Sequence, residues 1–152
     1  MVPESFSPLP PSSIGVSDRM RRARGTDTAP ELALRRALHK GGLRYRIQYR
    51  PPGLPRRTVD VAFTQAKLAI LVDGCFWHAC PEHASWPGHN GDWWRAKLEA
   101  NVARDRDTDR RLGTLGWTVL RLWEHLSPEE MEASVRHALD EIRQSTCLRA
   151  LA

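Results

Sequence analysis

The stretch LAILVDGCFWHACPEH, residues 68–83, contains both the most apolar segment of the chain and its densest group of reactive side chains. Its first five residues, 68–72, form an unbroken apolar run of strand length, which is typical of the centre of a sheet. A loop rich in cysteine, histidine and aromatic residues follows at once. The stretch therefore predicts a buried strand whose carboxyl end leads into a polar loop.

Signals on both sides of this strand predict an α/β domain. Thr28 and Glu31 have the spacing of a capping box that begins a first helix, which should end at Gly41-Gly42. Further elements are predicted as strands at 44–49 and 58–63, a charged helix at 92–112 that ends at Gly113, a strand at 117–123, and a helix from Ser127 to about Gln144. The order helix, three strands, helix, strand, helix indicates one α/β sandwich.

Composition favours a single folded domain. The 152 residues are 41% hydrophobic and 27% charged, as in ordinary globular proteins. We predict a disordered tail at 1–16 and one domain at 17–152. With no apolar run long enough to span a membrane and no signal peptide, we expect a cytoplasmic protein. Three cysteines, an odd number, argue against a disulfide framework.

The charge distribution indicates a polyanionic partner. The net charge is +5, and the basic residues are concentrated in the first half while the end of the chain is acidic. A basic surface that serves only solubility is the alternative.

Cysteine and histidine spacing predicts a zinc site. Cys75, Cys80 and His83 follow the pattern C-x4-C-x2-H, which brings three ligands within reach of one tetrahedral ion. His125, just after the last predicted strand, is the best candidate for the fourth ligand. A closed Cys2His2 set would make the zinc structural. The alternative is two buried thiols and a surface histidine.

Carboxylates on neighbouring strands predict a second metal site, which suits a harder cation than zinc. We expect Val59, Val61 and Phe63 on one face of their strand and Asp60 on the other. Asp60 and Asp73, at the end of the next strand, could form the acidic edge of a Mg²⁺ site suited to phosphodiester hydrolysis. An aspartate that caps a turn or pairs with an arginine is the alternative.

His78 is a candidate general base, because it lies in the loop that contains Cys75 and Cys80 and is not needed as a zinc ligand. A solvated loop histidine is its alternative reading. Glu31 is either the capping-box residue or a carboxylate that supports the metal site, and Asp73 either forms a turn before Gly74 or gives similar support.

Aromatic and basic residues predict contacts with DNA. Phe76, Trp77 and Trp94 are large side chains in polar surroundings, and such groups can wedge between base steps. Packing around the zinc is the alternative. The arm at 19–24, with Met20, Arg21 and Arg22, could lie across a groove and neutralise phosphates; an unstructured basic tail explains its charge equally well.

Taken together, these motifs resemble a known family. The matching pieces are Met20, Thr28-x-x-Glu31, Asp60, Asp73-Gly74-Cys75-Phe76-Trp77-His78, Cys80-Pro81-Glu82-His83, Trp93-Trp94-Arg95-x-Lys97, Asn101-x-x-Arg104-Asp105, Leu115-Gly116-Trp117 and Trp123-Glu124. Over roughly residues 17–126 the chain resembles the very short patch repair endonucleases.

This resemblance implies a restriction-endonuclease-like fold and Mg²⁺-dependent nicking of one DNA strand beside the thymine of a T:G mismatch, the product of 5-methylcytosine deamination. It implies Asp60 and the carbonyl of Val72 as metal ligands, His78 as base, and Glu31 and Asp73 in support. Phe76, Trp77 and Trp94 would be a major-groove wedge, with Met20 entering from the minor-groove side. The wider nuclease superfamily has a lysine where this chain has 73–75, so His78 must replace it.

Two other functions remain open at this point. One is a nicking or restriction nuclease with another target, and the other is a zinc-stabilised module that binds distorted DNA without chemistry. For the first-ranked function we expect a monomer whose partner is double-stranded DNA with a T:G mismatch, and which also works with mismatch-repair proteins.

Overall fold

The computed structural model describes residues 25–83 and 91–151, and the predicted tail at 1–16 lies outside these ranges. The elements in them are α1 (Ala29–Lys40), β1 (Arg46–Tyr49), β2 (Val59–Phe63), β3 (Leu68–Asp73), α2 (Gly91–Thr114), β4 (Thr118–Trp123) and α3 (Pro128–Ala150). Their order confirms the predicted α/β arrangement. None of the helices in the described residues has the length and apolarity needed to cross a membrane.

The four strands form one mixed sheet in the order β1-β2-β3-β4. β1, β2 and β3 pair antiparallel, whereas β3 and β4 pair parallel, with Asp73 opposite Trp123 at their carboxyl ends. A parallel pair needs a crossover connection, and α2 supplies it. The apolar run of β3 therefore lies inside the sheet, as predicted.

Helices cover both faces of this sheet. On one face, Leu34 and Leu38 of α1 and Met131 and Val135 of α3 pack against Ile70 and other residues of the sheet. On the other face, residues from α2, the sheet and its loops form a second cluster: Leu54, Val59, Ala62, Ala69, Leu112 and Trp117. The continuous apolar sequence of β3 follows from this burial on both faces.

Local signals explain where the first and last helices begin. The Thr28 hydroxyl oxygen accepts a hydrogen bond from the Glu31 N–H at the start of α1. At the start of α3, Ser127 and Glu130 form the reciprocal capping box, with Pro128 in the first turn. These caps satisfy N–H groups that have no partner within the helix.

Two predicted helix ends are wrong. α2 continues through Gly113 to Thr114, because a glycine inside a helix costs only about 1 kcal/mol. The chain turns instead at Gly116, whose φ of +82° suits a residue without Cβ. α3 continues beyond Gln144 to Ala150, since nothing in that polar stretch is a helix breaker.

The predicted face of Val59 is also wrong. Val61 and Phe63 belong to the first cluster, but Val59 packs with Ala62 in the second. Regular alternation is lost at Asp60, whose carboxylate accepts the Val72 N–H at 2.8 Å. A side chain therefore occupies a place that a backbone carbonyl takes in a regular ladder.

Candidate functional site

The carboxyl ends of β3 and β4 meet at one edge of the sheet because the two strands are parallel. The Glu124 N–H donates to the Asp73 carbonyl at 2.9 Å, and the Cys75 N–H donates to the Glu124 carboxylate at 2.8 Å. The loop after β3 is thus tied to the residues after β4.

The four predicted zinc ligands lie together at this edge. One ligand atom from each of Cys75, Cys80, His83 and His125 lies within 4.8 Å of the others. The Cys75 sulfur is 3.1 Å from His125 Nδ1, and the Cys80 sulfur is 3.8 Å from both His125 Nδ1 and His83 Nδ1. Both cysteines are buried.

This donor set fits a zinc ion. Zn–S and Zn–N bonds of about 2.3 and 2.1 Å place tetrahedral ligand atoms about 3.5–3.8 Å apart, close to the separations found here. Two thiols and two imidazoles complete a four-coordinate shell, and such a closed shell is typical of structural zinc. Cys147, the remaining cysteine, is exposed on α3.

Tight turns in the loop after β3 separate the side chains of Cys75 and Cys80 from that of His78. The Cys80 N–H donates to the Cys75 carbonyl at 3.0 Å, and the His78 N–H donates to the Gly74 carbonyl at 3.1 Å. Ala79, between His78 and Cys80, has a φ of +52°, a left-handed conformation that reverses the chain direction. His78 contacts α2, while its neighbours Cys75 and Cys80 contact His125.

A cleft of about 820 Å³ lies beside the loop. Carboxylates, basic groups and His78 line it, with Trp77 at one side; its charged residues are Asp27, Glu31, Arg56, Arg57, Asp60, Asp73, Arg104, Asp105, Arg121 and Glu124. Opposite charges in one concave surface suit a site that holds both a cation and a phosphate.

The Asp60 carboxylate carries a negative charge that its surroundings in this cleft do not fully compensate. Burial raises its pKa to about 6, the Val72 N–H bond opposes this, and the charges of Glu31 and Asp73 add to the rise. A bound cation would relieve this cost. The carboxylate lies directly beside the main chain of Val72.

His78 is held by α2. Its Nδ1 lies 2.5 Å from Asp105 Oδ2 and 3.8 Å from Asp73 Oδ1. Burial lowers the pKa of His78, but the hydrogen bond to Asp105 and the two carboxylate charges outweigh burial and raise it. With a carboxylate at Nδ1, the neutral ring carries its lone pair on Nε2.

Asp73 and Glu31 are both buried and both paired. The Asp73 carboxylate accepts two hydrogen bonds from Arg121 Nη1, each 2.9 Å long, so the arginine-paired alternative describes it. Glu31 accepts from the Asp27 N–H, the Thr28 hydroxyl and Arg35 Nη2 at 3.0–3.2 Å. It holds the start of α1 and also lines the cleft.

The predicted wedge residues form one aromatic cluster beside the cleft. Ring centroids are 5.1 Å apart for Phe76 and Trp77, 5.4 Å for Phe76 and Trp94, and 6.0 Å for Trp77 and Trp94. Trp93 packs edge-on against Trp94, and Lys97 Nζ lies 4.7–5.5 Å from three of the indole rings. All of these aromatic side chains remain partly exposed.

The two cleft residues that adjoin His78 and Asp73 most closely are not predicted by the sequence as site residues. Asp105 appears there only within a motif, and Arg121 appears in none. Arg121 does carry a signal, because a cation inside the apolar strand at 118–123 requires acidic partners. Met20, Arg21 and Arg22 lie outside the described residues.

Sequence comparison finds relatives of this chain among DNA endonucleases. The family described as DNA mismatch endonuclease Vsr matches residues 15–83. The type II nicking enzyme V.NaeI of Lentzea aerocolonigenes is 42% identical over 134 residues, 87% of this chain and 79% of that protein. V.XorIIP of Xanthomonas oryzae is 37% identical over 126 residues, 80% and 89% of the two chains.

The DNA mismatch endonuclease Vsr of Escherichia coli is 37% identical over 113 residues, which are 71% of this chain and 68% of that protein. Similarity of this extent over most of both chains is more than a shared motif. The chain belongs to the Vsr family of DNA endonucleases.

Proposed function

We propose that this protein nicks one strand of duplex DNA beside the thymine of a T:G mismatch, using Mg²⁺ on a restriction-endonuclease-like fold. One observation carries the proposal: the half-buried carboxylate of Asp60 and the His78–Asp105 pair line a single cleft, together with Trp77 of the aromatic cluster. Mismatches of this kind arise when 5-methylcytosine deaminates.

Asp60 and the carbonyl of Val72 would hold the magnesium ion. Oxygen donors are what this hard cation prefers, and it often takes only one or two protein ligands. When bound, the ion supplies neutralisation of the charge that develops on the phosphate. The half-buried carboxylate of Asp60, whose pKa is raised by desolvation, favours a cation on electrostatic grounds.

His78 would act as general base on the attacking water. Asp105 holds Nδ1, so the lone pair on Nε2 is available to accept a proton. Asp73 and Glu31 support the site as neighbouring charges and structural anchors, not as the base.

The aromatic cluster would open the base stack. Phe76, Trp77 and Trp94 would enter from the major groove, and Met20 from the minor groove, with Arg21 and Arg22 on phosphates. A mismatch lowers the cost of unstacking, which is a few kcal/mol for a normal step. Zinc on Cys75, Cys80, His83 and His125 would keep the loop that carries two of these rings rigid.

The test compares nicking of duplexes that differ in one base pair. We expect Mg²⁺-dependent cleavage of one strand of the T:G duplex and much slower cleavage of the matched C:G duplex, with Asp60→Ala inactive. Binding of T:G duplex without any nicking in Mg²⁺ would exclude nicking at T:G mismatches and leave the non-catalytic DNA-binding module or a nuclease with another target. Equal nicking of matched DNA would exclude mismatch repair.

A nicking endonuclease with another target is the second candidate. The observation in its favour is that several relatives are named type II nicking enzymes. A panel of duplexes with every mismatch, in several flanking sequences, separates the two candidates. Three further predictions are that the protein acts as a monomer, that it works with mismatch-repair proteins and that it is cytoplasmic. Size-exclusion chromatography of the protein on T:G duplex tests the first of them.

A further inference from the structure

Arg121 belongs to β4, and its side chain reaches α2 and contacts three aspartates. Its Nη1 donates to both oxygens of Asp73 at 2.9 Å, and its Nε donates to both oxygens of Asp109 at 3.0 Å. Nη2 donates to Asp109 Oδ1 at 2.8 Å and to the Asp105 carbonyl at 3.3 Å. The guanidinium therefore joins the end of β3 to two successive turns of α2.

The sequence makes this arrangement necessary. Asp105 and Asp109 are four residues apart, so they lie on the same face of α2. That face is packed over the sheet, where the side chain of Arg121 is only 22% exposed. Charges at such a place are costly unless each has a partner of opposite sign, and the planar guanidinium can serve several carboxylates at once.

Arg121 contacts both of the acids that contact His78. Asp105 Oδ1 lies 3.6 Å from Nη2 of Arg121, while its Oδ2 contacts His78 Nδ1. Asp73, held by Nη1, lies 3.8 Å from the same ring nitrogen. The orientation of His78 thus depends on a carboxylate that is itself fixed by the guanidinium.

We propose that Arg121 is a positioning residue for strand nicking. It holds Asp105 in the orientation that fixes the His78 ring, and it pairs Asp73 so that Asp60 is the carboxylate left to receive the cation. This proposal rests on the proposed roles of His78 and Asp60.

The first experiment separates the rate from DNA affinity. Single-turnover nicking is measured at saturating Mg²⁺ and T:G duplex, and duplex affinity is measured without divalent cation. For Arg121→Met we expect a rate about 100-fold lower, within the range that proton transfer by a positioned group contributes, with affinity within about threefold. Arg110→Met, the loss of an exposed arginine on α2 that pairs with Asp107, is the matched control and should keep the rate.

A rate within threefold of wild type in folded Arg121→Met would overturn the proposal. So would a loss confined to DNA affinity, since it would make Arg121 a phosphate contact. If Arg121→Met does not fold, Arg121→Lys carries the test, because lysine keeps the charge but cannot form the fork. We expect that variant to remain at least about tenfold slow, and a wild-type rate would overturn the proposal.

The second experiment does not depend on activity. A proton in a short imidazole–carboxylate hydrogen bond gives a downfield ¹H NMR signal, identified here by its absence in His78→Ala. We expect the signal in wild type and Arg110→Met and its loss in Arg121→Met. A signal unchanged in Arg121→Met overturns the proposal, whereas a wild type that shows the signal but nicks no duplex contradicts only the proposed function.

Discussion

Two regions at the end of β3 differ in the chemistry of their ligands. The cysteine–histidine group has soft donors, two of them buried, and is complete with four ligands. The cleft has carboxylates and one imidazole, and it opens to solvent. Their residues alternate within one short loop, since Cys75 and Cys80 enclose His78 in sequence. The comparison teaches that two groups of different ligand chemistry can share one loop when its turns send successive side chains in different directions.

The largest effect should come from the cleft. Asp60→Asn keeps an oxygen that can accept the Val72 N–H but removes the charge that a cation needs. We expect single-turnover nicking of T:G duplex to fall about 10³-fold, or about 4 kcal/mol in the barrier, with zinc content unchanged. Asp140→Asn, an exposed carboxylate on α3, is the control. A near wild-type rate in Asp60→Asn would remove Asp60 from the metal site.

The zinc region should respond in stability. Cys80→Ser should reduce bound zinc from about one ion per chain to nearly none and lower the free energy of unfolding by about 3 kcal/mol, or Tm by about 10 °C. Cys147→Ser, the loss of an exposed thiol, is the matched control for both measurements. Elemental analysis and calorimetry suffice. Full zinc content in Cys80→Ser would refute the ligand set.

The aromatic cluster should affect recognition alone. Trp77→Ala should lower the preference for T:G over matched duplex about tenfold, because stacking on one base is worth about 1–3 kcal/mol. Competition binding measures the preference, with exposed Leu148→Ala on α3 as control. If both duplexes lose affinity equally, Trp77 serves general packing and does not act as a wedge.

The smallest effect should come from the cap of α3, which supplies no ligand to either region. Ser127→Ala removes the side-chain cap of α3 and should lower the free energy of unfolding by about 1 kcal/mol. Zinc content and nicking at 25 °C should not change, and exposed Ser145→Ala serves as the control. Loss of zinc or of activity in Ser127→Ala would show that the cap of α3 also positions His125, which lies two residues before it.

The sequence predicted the order of the elements and the grouping of Cys75, Cys80, His83 and His125. Capping residues and apolar runs depend on local structure, and the run at 68–72 predicted a central strand. His125 could be named as a fourth ligand because strand ends at one edge of a sheet converge, and the structure brings it to Cys75. The ends of the helices were harder to predict from the sequence, since Gly113 is tolerated inside α2.

Only part of the acid–base group in the cleft could be predicted from the sequence. Asp105 contacts His78 because of the position at which α2 packs over the sheet, and no local sequence pattern specifies that position. The partners of Arg121 come from two elements on either side of it in sequence, so its role appears only when both are in place. The face of Val59 was missed for a similar reason, because the Asp60 carboxylate replaces a ladder bond at that point.

The parallel pairing of β3 with β4 also sets the order in which the chain becomes competent. β1, β2 and β3 are joined by short connections, whereas β4 pairs with β3 only after the intervening residues 74–117 are enclosed as a loop. Closing such a loop costs entropy before any contact repays it, so this pairing should form late in folding. His125 and Arg121 arrive with β4. Chains without this pairing would lack the fourth cysteine–histidine ligand and the guanidinium that pairs with Asp73 and Asp105, so neither region would be complete.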